Sequence, residues 1–442
     1  MDIVREVALK TLYKIDKEDA YSNIALDETI KENRNTLDDR DTGFISEIVY
    51  GVTSWKLTID EIIKKYSKLK LKKISPWILN ILRMGIYQIV FLDKVPKSAA
   101  VNESVNLSKR YGHKGSSNFV NAVLRKVVKK DYEAFFEIEN PIERISKTTS
   151  MPVWIIEELL KENDIEKVEE ICKASNIKPK VAIRMNHLKT NKQELENLLK
   201  ERNIPFHDGK FEDFLILEKA KNIEHLDLFK KGYFTIQDEG AGLIAKIVNP
   251  KPNEVILDAC SSPGGKTTYM AELMEDKGKI LAWDLHPHRV KLVEENAKRL
   301  GIHIIKTECQ DAMIFKEEYK EKFDKILLDV PCLGIGVLKR KPDIKWKRKP
   351  EDIEEITQIQ QNILETCSKY LKPEGEMVYS TCSIFREEND KIIEKFLENN
   401  QNFAYLEIKM SKIENKIENM HKIKLYQNNE TDGFFICKLQ KK

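Results

Sequence analysis

The sequence has no apolar run approaching the ~20 residues that cross a bilayer, and no C-x-x-C pair among its seven cysteines. The first absence argues against a membrane protein, and the second makes a structural zinc or other metal site unexpected. The cysteines are Cys172, Cys260, Cys309, Cys332, Cys367, Cys382 and Cys437. An odd number at wide spacing does not make a disulfide framework and points to a reducing, cytoplasmic setting. The start, MDIVREVALKTLYKID, has neither a long apolar stretch nor a small-residue cleavage site, so no signal peptide is expected. Neither sign of charge dominates: 75 Lys and Arg face 72 Asp and Glu, a net +3. That balance alone does not indicate nucleic acid; where the basic residues bunch matters more. A G-x-G-x-x-G dinucleotide loop and an internal repeat are also missing.

What is present is a 442-residue chain, 41% hydrophobic and 33% charged, long enough for two or three domains with buried cores. Residues 1–130 space their apolar residues at three and four, as in VREVALKTLYKI and WILNILRMGIYQIVFL, and predict an all-α bundle. TLDDRDTG and RYGHKGSS break it into separate helices. DYEAFFEIENPIER, with Pro141, reads as a linker. Residues 145–235 predict a small α/β module, with strands at VAIRMN and FLILEK, a helix at NKQELENLLKERN, and a further helix opened by SMPVW. From 236 to 442 the pattern is strand–helix alternation. VILDAC, KILAWD, HIIKTECQ, KILLDV and EMVYSTCS are apolar runs separated by helices such as RVKLVEENAKRLG. Buried strands between helices predict a parallel, doubly wound sheet, whose ligands bind at the carboxyl ends of the strands. The Lys/Ile/Asn-rich segment 409–429 reads as a surface excursion.

Chemistry is therefore sought at the strand ends. VILDAC runs into SSPGGKTT, where Gly264 and Gly265 permit a tight turn and a following helix aims its amides at a ligand. A Walker A loop would need glycine at Cys260, so a phosphate-wrapping loop is excluded although Gly265-Lys266-Thr267 matches its end. Asp284 ends the second strand at a distance suited to ribose hydroxyls. Asp258, Asp284, Asp311 and Asp329 each stand at or just past a strand end. A nucleoside cofactor without a phosphate clamp suits S-adenosylmethionine.

Two cysteines also leave the sheet at this edge: Cys332 after LLDVP and Cys382 after YST. Free cysteines are usually buried filler, the reading adopted for Cys172, Cys367 and Cys437. A thiol at a strand end suits methylation of cytosine carbon 5, a poor nucleophile until a thiolate adds to carbon 6. A free thiol is mostly protonated at pH 7, so the site must supply a positive neighbour, a helix dipole or coupled protonation. Asp329 is the candidate partner for the base edge and, if neutral, could protonate ring nitrogen 3. Spacing alone leaves open which cysteine attacks. Lys339–Lys349 carries seven cationic side chains around Trp346. The cations could neutralise phosphates and the indole could stack a base. KKYSKLKLKK at 64–73 is a second, weaker basic run.

ILDACSSPGGKTT, LLDVPCLGIGVLKRKPDIKW, YSTCSIFREEND and TDGFFICKL resemble the RNA cytosine-carbon-5 methyltransferases of the NOL/NOP/Sun group. RDTGFISEIVYGV, LRMGIYQIVFLDKVP and AVNESVNLSKRYGHKGSSNFVNAVLRKV are similar to a NusB-type RNA-binding domain. The pairing resembles the Sun type, which acts on small-subunit (16S) ribosomal RNA, and the likeness covers nearly the whole chain. It implies a multidomain protein: an all-α NusB-like bundle (1–130), a small α/β, RNA-recognition-like module (145–235) and a class I, Rossmann-like methyltransferase domain (236–442) closed by FFICKL as an antiparallel strand. It implies that S-adenosylmethionine is held by Cys260, Ser261, Ser262, Pro263, Gly264, Gly265, Lys266, Asp284, Asp311 and Asp329. It makes Cys382 the nucleophile and Cys332 the residue that assists product release, beside Asp329. The implied partner is 16S rRNA, with a monomer expected and neither membrane nor metal. A tRNA enzyme and a non-catalytic RNA adaptor are the alternatives; the NusB-like region disfavours the first, and intact Asp329, Cys332 and Cys382 disfavour the second. Departures from the family's pattern (Ser261-Ser262 for Ala-Ala, Leu333 for Ser, Arg386 and Tyr426 for Pro) leave every reacting group in place.

Overall fold

In a computed structural model the chain divides into two compact units, 1–178 with 338–348, and 179–337 with 349–442. The structure describes residues 2–218, 223–409, 420–428 and 430–442.

The first unit is helical. Its helices include Ile3–Lys17, Asp39–Ser54, Pro76–Phe91, Lys97–Tyr111 and Lys114–Lys126. Polar side chains at the expected breaks stop and start them. Asp38 closes a capping box with Asp41, and Ser75 with Pro76 opens the most apolar helix, each satisfying amides that a helix start leaves free. Pro76–Phe91 buries Ile81, Leu82, Met84 and Ile86 at the centre of the core. Among the described residues no helix is long and apolar enough to cross a membrane.

Two expectations change here. The stretch read as a linker is packed instead. Asp131 is buried and accepts hydrogen bonds from Lys65 Nζ and Tyr66 Oη, both at 2.7 Å, and Tyr132 meets Trp55 edge-on at 5.6 Å. Pro141 opens the helix Pro141–Thr149. Its aromatic residues gave this segment a hydrophobic face that a polar linker lacks. The second change concerns the basic run. Residues 338–348 belong to the helical unit, where the Trp346 indole donates to the Thr53 carbonyl at 2.7 Å. Lys345 is buried and donates to Asn176 Oδ1 at 2.8 Å, and burial pulls its ammonium down to about 7. Asp343 accepts a hydrogen bond from Ser22. Trp346 and Lys345 thus anchor a strap, so the indole that the sequence offered for stacking is already engaged.

The second unit holds two sheets. The smaller comprises β1 (Val181–Met185), β2 (Phe206–Asp208), β3 (Phe214–Leu217) and β4 (Phe234–Ile236), in the order β2-β3-β1-β4, all antiparallel. The larger comprises β5 (Val255–Asp258), β6 (Lys279–Asp284), β7 (Ile305–Cys309), β8 (Phe323–Asp329), β9 (Leu371–Thr381), β10 (Phe403–Tyr405), β11 (Lys422–Leu425) and β12 (Phe434–Lys441). Its order is β10-β12-β9-β8-β5-β6-β7, with β11 on β12. β5 to β9 run parallel, and β12 runs antiparallel to β9. The chain leaves β5 toward β6 and β7, then returns to β8 on β5's other side. This reversal opens a crevice at the carboxyl ends of β5 and β8, the place where doubly wound sheets take ligands.

Part of the segment read as a surface excursion joins this sheet. Lys422–Leu425 pairs with Phe434–Cys437, Ile423 is buried, and Ile408 bridges Met420. The alternation Lys-Ile-Lys-Leu, masked by the surrounding lysines and asparagines, is a strand signal. Residues 410–419 and 429 lie outside the described residues.

Candidate active site

The crevice is lined by a loop, a row of carboxylates and two thiols. After β5 the loop Ala259–Gly264 is pinned from beneath: Ser261 donates from N and Oγ to the Trp283 carbonyl, at 2.8 and 2.9 Å. Ser262 N donates to Asp284 Oδ2 at 3.3 Å, and Asn296 donates to the Pro263 carbonyl at 2.9 Å. Gly264 has φ +99°, and a Cβ there would meet Val293 at 3.2 Å, so the turn requires glycine. The helix Gly265–Leu273 starts at once. Cys260 lies in the loop, and burial pushes its thiol well above the usual range.

Asp258 is buried beneath the loop. Thr267 Oγ1 donates to its Oδ2 at 2.6 Å, while Oδ1 has no partner among the described residues. Burial, aided by the nearby Asp329 charge, raises this carboxyl to about 7. Asp284 accepts long hydrogen bonds from Ser262 N and His286 N at 3.3 Å each and pairs with Arg289 Nε at 3.4 Å. Asp311 accepts from Met313 N at 2.9 Å. The donor set fits a nucleoside: carboxylates with lone pairs to spare for hydroxyls, a glycine turn for close approach and a helix start for an anionic group.

Asp329, at the end of β8, accepts from Lys266 Nζ at 2.7 Å and from Ser380 Oγ at 2.8 Å. Both oxygens are engaged, one by a cation. Burial alone would pull Lys266 down, but Asp329 and, more weakly, Cys382 hold its charge on, and its pKa is raised overall.

The two strand-end thiols come together, with Cys332 Sγ 2.9 Å from Cys382 Sγ. The register explains this: β8 and β9 are paired through Asp329 and Ser380, so both chains exit side by side. The hydrogen bond to Cys382, together with burial, pushes the Cys332 thiol well up.

The sequence reading assigned no role to the groups that hold these loops. Glu388 is fully buried. Its Oε2 accepts from Leu333 N at 2.8 Å and Gln360 Nε2 at 3.1 Å, and its Oε1 accepts from Ser383 Oγ. One carboxylate therefore ties the residue after Cys332 to the residue after Cys382. Asn389 does the same locally, accepting from Thr381 Oγ1 at 2.6 Å and donating to the Ser383 carbonyl at 3.0 Å. The only sequence signal was the acidic Glu-Glu-Asn-Asp run following Cys382. The filler cysteines Cys172, Cys367 and Cys437 are all fully buried.

Comparison with known proteins matches this architecture segment by segment. The NusB family model matches residues 2–129, the RsmF/B-like ferredoxin-like domain residues 151–224, and the 16S rRNA methyltransferase RsmB/F model residues 245–440. A probable ribosomal RNA small subunit methyltransferase B from Bacillus subtilis is 38% identical over 99% of both chains. The chain belongs to the RsmB/F family of 16S rRNA methyltransferases. A small subunit methyltransferase B from Shewanella oneidensis is 32% identical over 89% of each chain. Among solved structures, PH0851 is similar over 98% of each chain with a TM-score of 0.81 at 26% identity. A methyltransferase homolog protein from Pyrococcus horikoshii covers 69% of this chain and all of its own length, with a TM-score of 0.60 at 28% identity. The RsmB/F assignment agrees with the expected fold: a NusB-like helical domain, a small ferredoxin-like module and a C-terminal methyltransferase domain.

Proposed function

We propose that this RsmB/F chain transfers a methyl group from S-adenosylmethionine to carbon 5 of a cytosine in 16S rRNA through a covalent adduct between Cys382 and carbon 6. The observation that carries the reading is the 2.9 Å approach of Cys332 and Cys382 beside the Asp329–Lys266 pair. S-adenosylmethionine, when bound, supplies an electrophilic methyl group. The loop Cys260–Lys266 with Asp284 and Asp311 would hold it, and the Asp284 carboxylate suits the ribose hydroxyls.

The family resemblance gives the two thiols different jobs, Cys382 attacking and Cys332 assisting release. The 2.9 Å contact lets one thiol pass a proton to the other. Lys266 supplies the positive neighbour that a reactive thiolate needs. Cys382 sulfur adds to carbon 6, carbon 5 becomes nucleophilic and is methylated, a base takes the carbon 5 proton, and the sulfur leaves. Cys332 assists that last step. Asp329 accepts from the amino edge of the base, and Ser380 and Lys266 hold it in place.

The test is methyl transfer to 16S rRNA. Cys382→Ala is expected to be inactive, and Cys332→Ala to accumulate a covalent protein–RNA adduct visible as a shifted band on a denaturing gel. Full activity in Cys382→Ala would overturn the mechanism, and label appearing on a base atom other than carbon 5 would overturn the product.

A further inference from the structure

The small sheet reaches into the glycine loop through one fully buried arginine. Arg184 lies on β1, and its guanidinium grips the first two turns of the helix Gly265–Leu273 from the side. Nη1 donates to the Gly265 carbonyl at 2.8 Å and to Gln237 Oε1. Nη2 donates to Thr268 Oγ1 at 3.2 Å and to Glu272 Oε1 at 2.7 Å. Its Cζ lies over the Tyr269 ring, 4.4 Å from the centroid.

This constrains Gln237. A guanidinium has only donors, so the Gln237 amide must turn its oxygen toward Arg184. The amide nitrogen is thereby forced the other way. It lies over Gly265, where a Cβ would sit 3.5 Å from Nε2. The side chain is more than nine-tenths buried, and Nε2 has no hydrogen-bond partner among the described residues. A buried orphan donor is costly and calls for an acceptor. At the same point the first amides of the helix lack intrahelical acceptors and favour negative charge. An orphan donor beside a helix start marks a site for an anionic acceptor.

We propose that Gln237 donates from Nε2 to the carboxylate of the cofactor's amino-acid moiety, and that Arg184 is the positioning residue that fixes the direction of that donation. The inference rests on the S-adenosylmethionine reading above. It gives the ferredoxin-like module a role in cofactor binding, since Arg184 comes from its sheet.

Calorimetry of the full-length protein with two probes tests it: S-adenosylhomocysteine, which carries the carboxylate, and 5′-methylthioadenosine, which lacks it. Gln237→Leu should weaken S-adenosylhomocysteine about tenfold to a hundredfold, the loss expected for a hydrogen bond to a charged group, with methylthioadenosine unchanged. Gln237→Glu keeps an acceptor for Arg184 and so preserves the fold, but it opposes the carboxylate and should weaken S-adenosylhomocysteine at least as much. Arg184→Lys should move in the same direction. If the wild type binds S-adenosylhomocysteine but the Gln237 variants bind it equally well, or lose both probes alike, the inference is overturned. If the wild type binds neither probe, the cofactor reading itself fails.

Discussion

At the residue scale, Asp258 shows what a strand-end carboxylate does when it is sealed under a loop. Its folded pKa of about 7 stands well above the usual 3.8, because burial disfavours the charge and Asp329 adds repulsion. The folded state therefore binds this proton more tightly than the unfolded chain. The resulting stability is fully present below about pH 4 and is lost as pH rises through 7. Asp258→Asn should remove this dependence. In urea unfolding, the stability of the wild type relative to Asp258→Asn should fall steadily from pH 4 to pH 8, and a constant difference would contradict the buried-carboxyl account. In sequence Asp258 looks like Asp329. Only the packing of Thr267 and the loop above it separates the sealed Asp258 from Asp329, whose side chain is partly exposed.

At the element scale, the candidate chemistry depends on two loops leaving adjacent parallel strands in step. Glu388 links them at Leu333 and Ser383. Glu388→Ala strands the Leu333 amide and the Ser383 hydroxyl proton in a buried site, at about 1–3 kcal/mol for each unsatisfied group, while Gln360 Nε2 keeps its bond to the Pro331 carbonyl. Displacing catalytic groups by about an ångström can slow a reaction about a hundredfold. Glu388→Ala should therefore lower the melting temperature and the methyl-transfer rate together. Glu388→Gln, which keeps its shape, should recover most of the stability, and S-adenosylhomocysteine affinity should stay near the wild-type value. Loss of cofactor affinity in Glu388→Gln would mean that the loops and the cofactor site are not separable. The parallel strands were legible from their unbroken Val, Ile and Leu runs, and the strand-end residues could be found by reading where those runs stop. β2 and β4, of three residues each, were not, because so short a strand has no period to detect. Glu388 and Arg184 escaped for a different reason: a charged residue reads as solvated until its partners are known, and those partners are distant in sequence.

At the scale of the whole molecule, two residues of the basic run have partners that their place in the sequence does not suggest. Position directly after Cys332 suggested an RNA contact, yet Trp346 and Lys345 are engaged within the helical unit. Periodicity carries no information about long-range partners, so a strap of this kind is invisible in a linear reading. Removing the indole of a half-buried tryptophan with its hydrogen bond should cost about 2–4 kcal/mol. Trp346→Ala is therefore expected to lower the unfolding midpoint of the helical unit, followed through the helical far-UV signal, while S-adenosylhomocysteine binding by the second unit is retained. An unchanged midpoint would show that the strap contributes no stability.

The same strap bears on how the protein is made. Residues 1–178 emerge from the ribosome first, but the piece that completes their unit, 338–348, follows about 160 residues later. At about 5–20 residues per second, the helical unit waits roughly 8–32 s for its last segment. During that interval β5 to β8 are synthesised. The amino-terminal unit is therefore the first to begin folding, and it cannot finish until the strands that carry Asp258, Asp284 and Asp329 have left the ribosome.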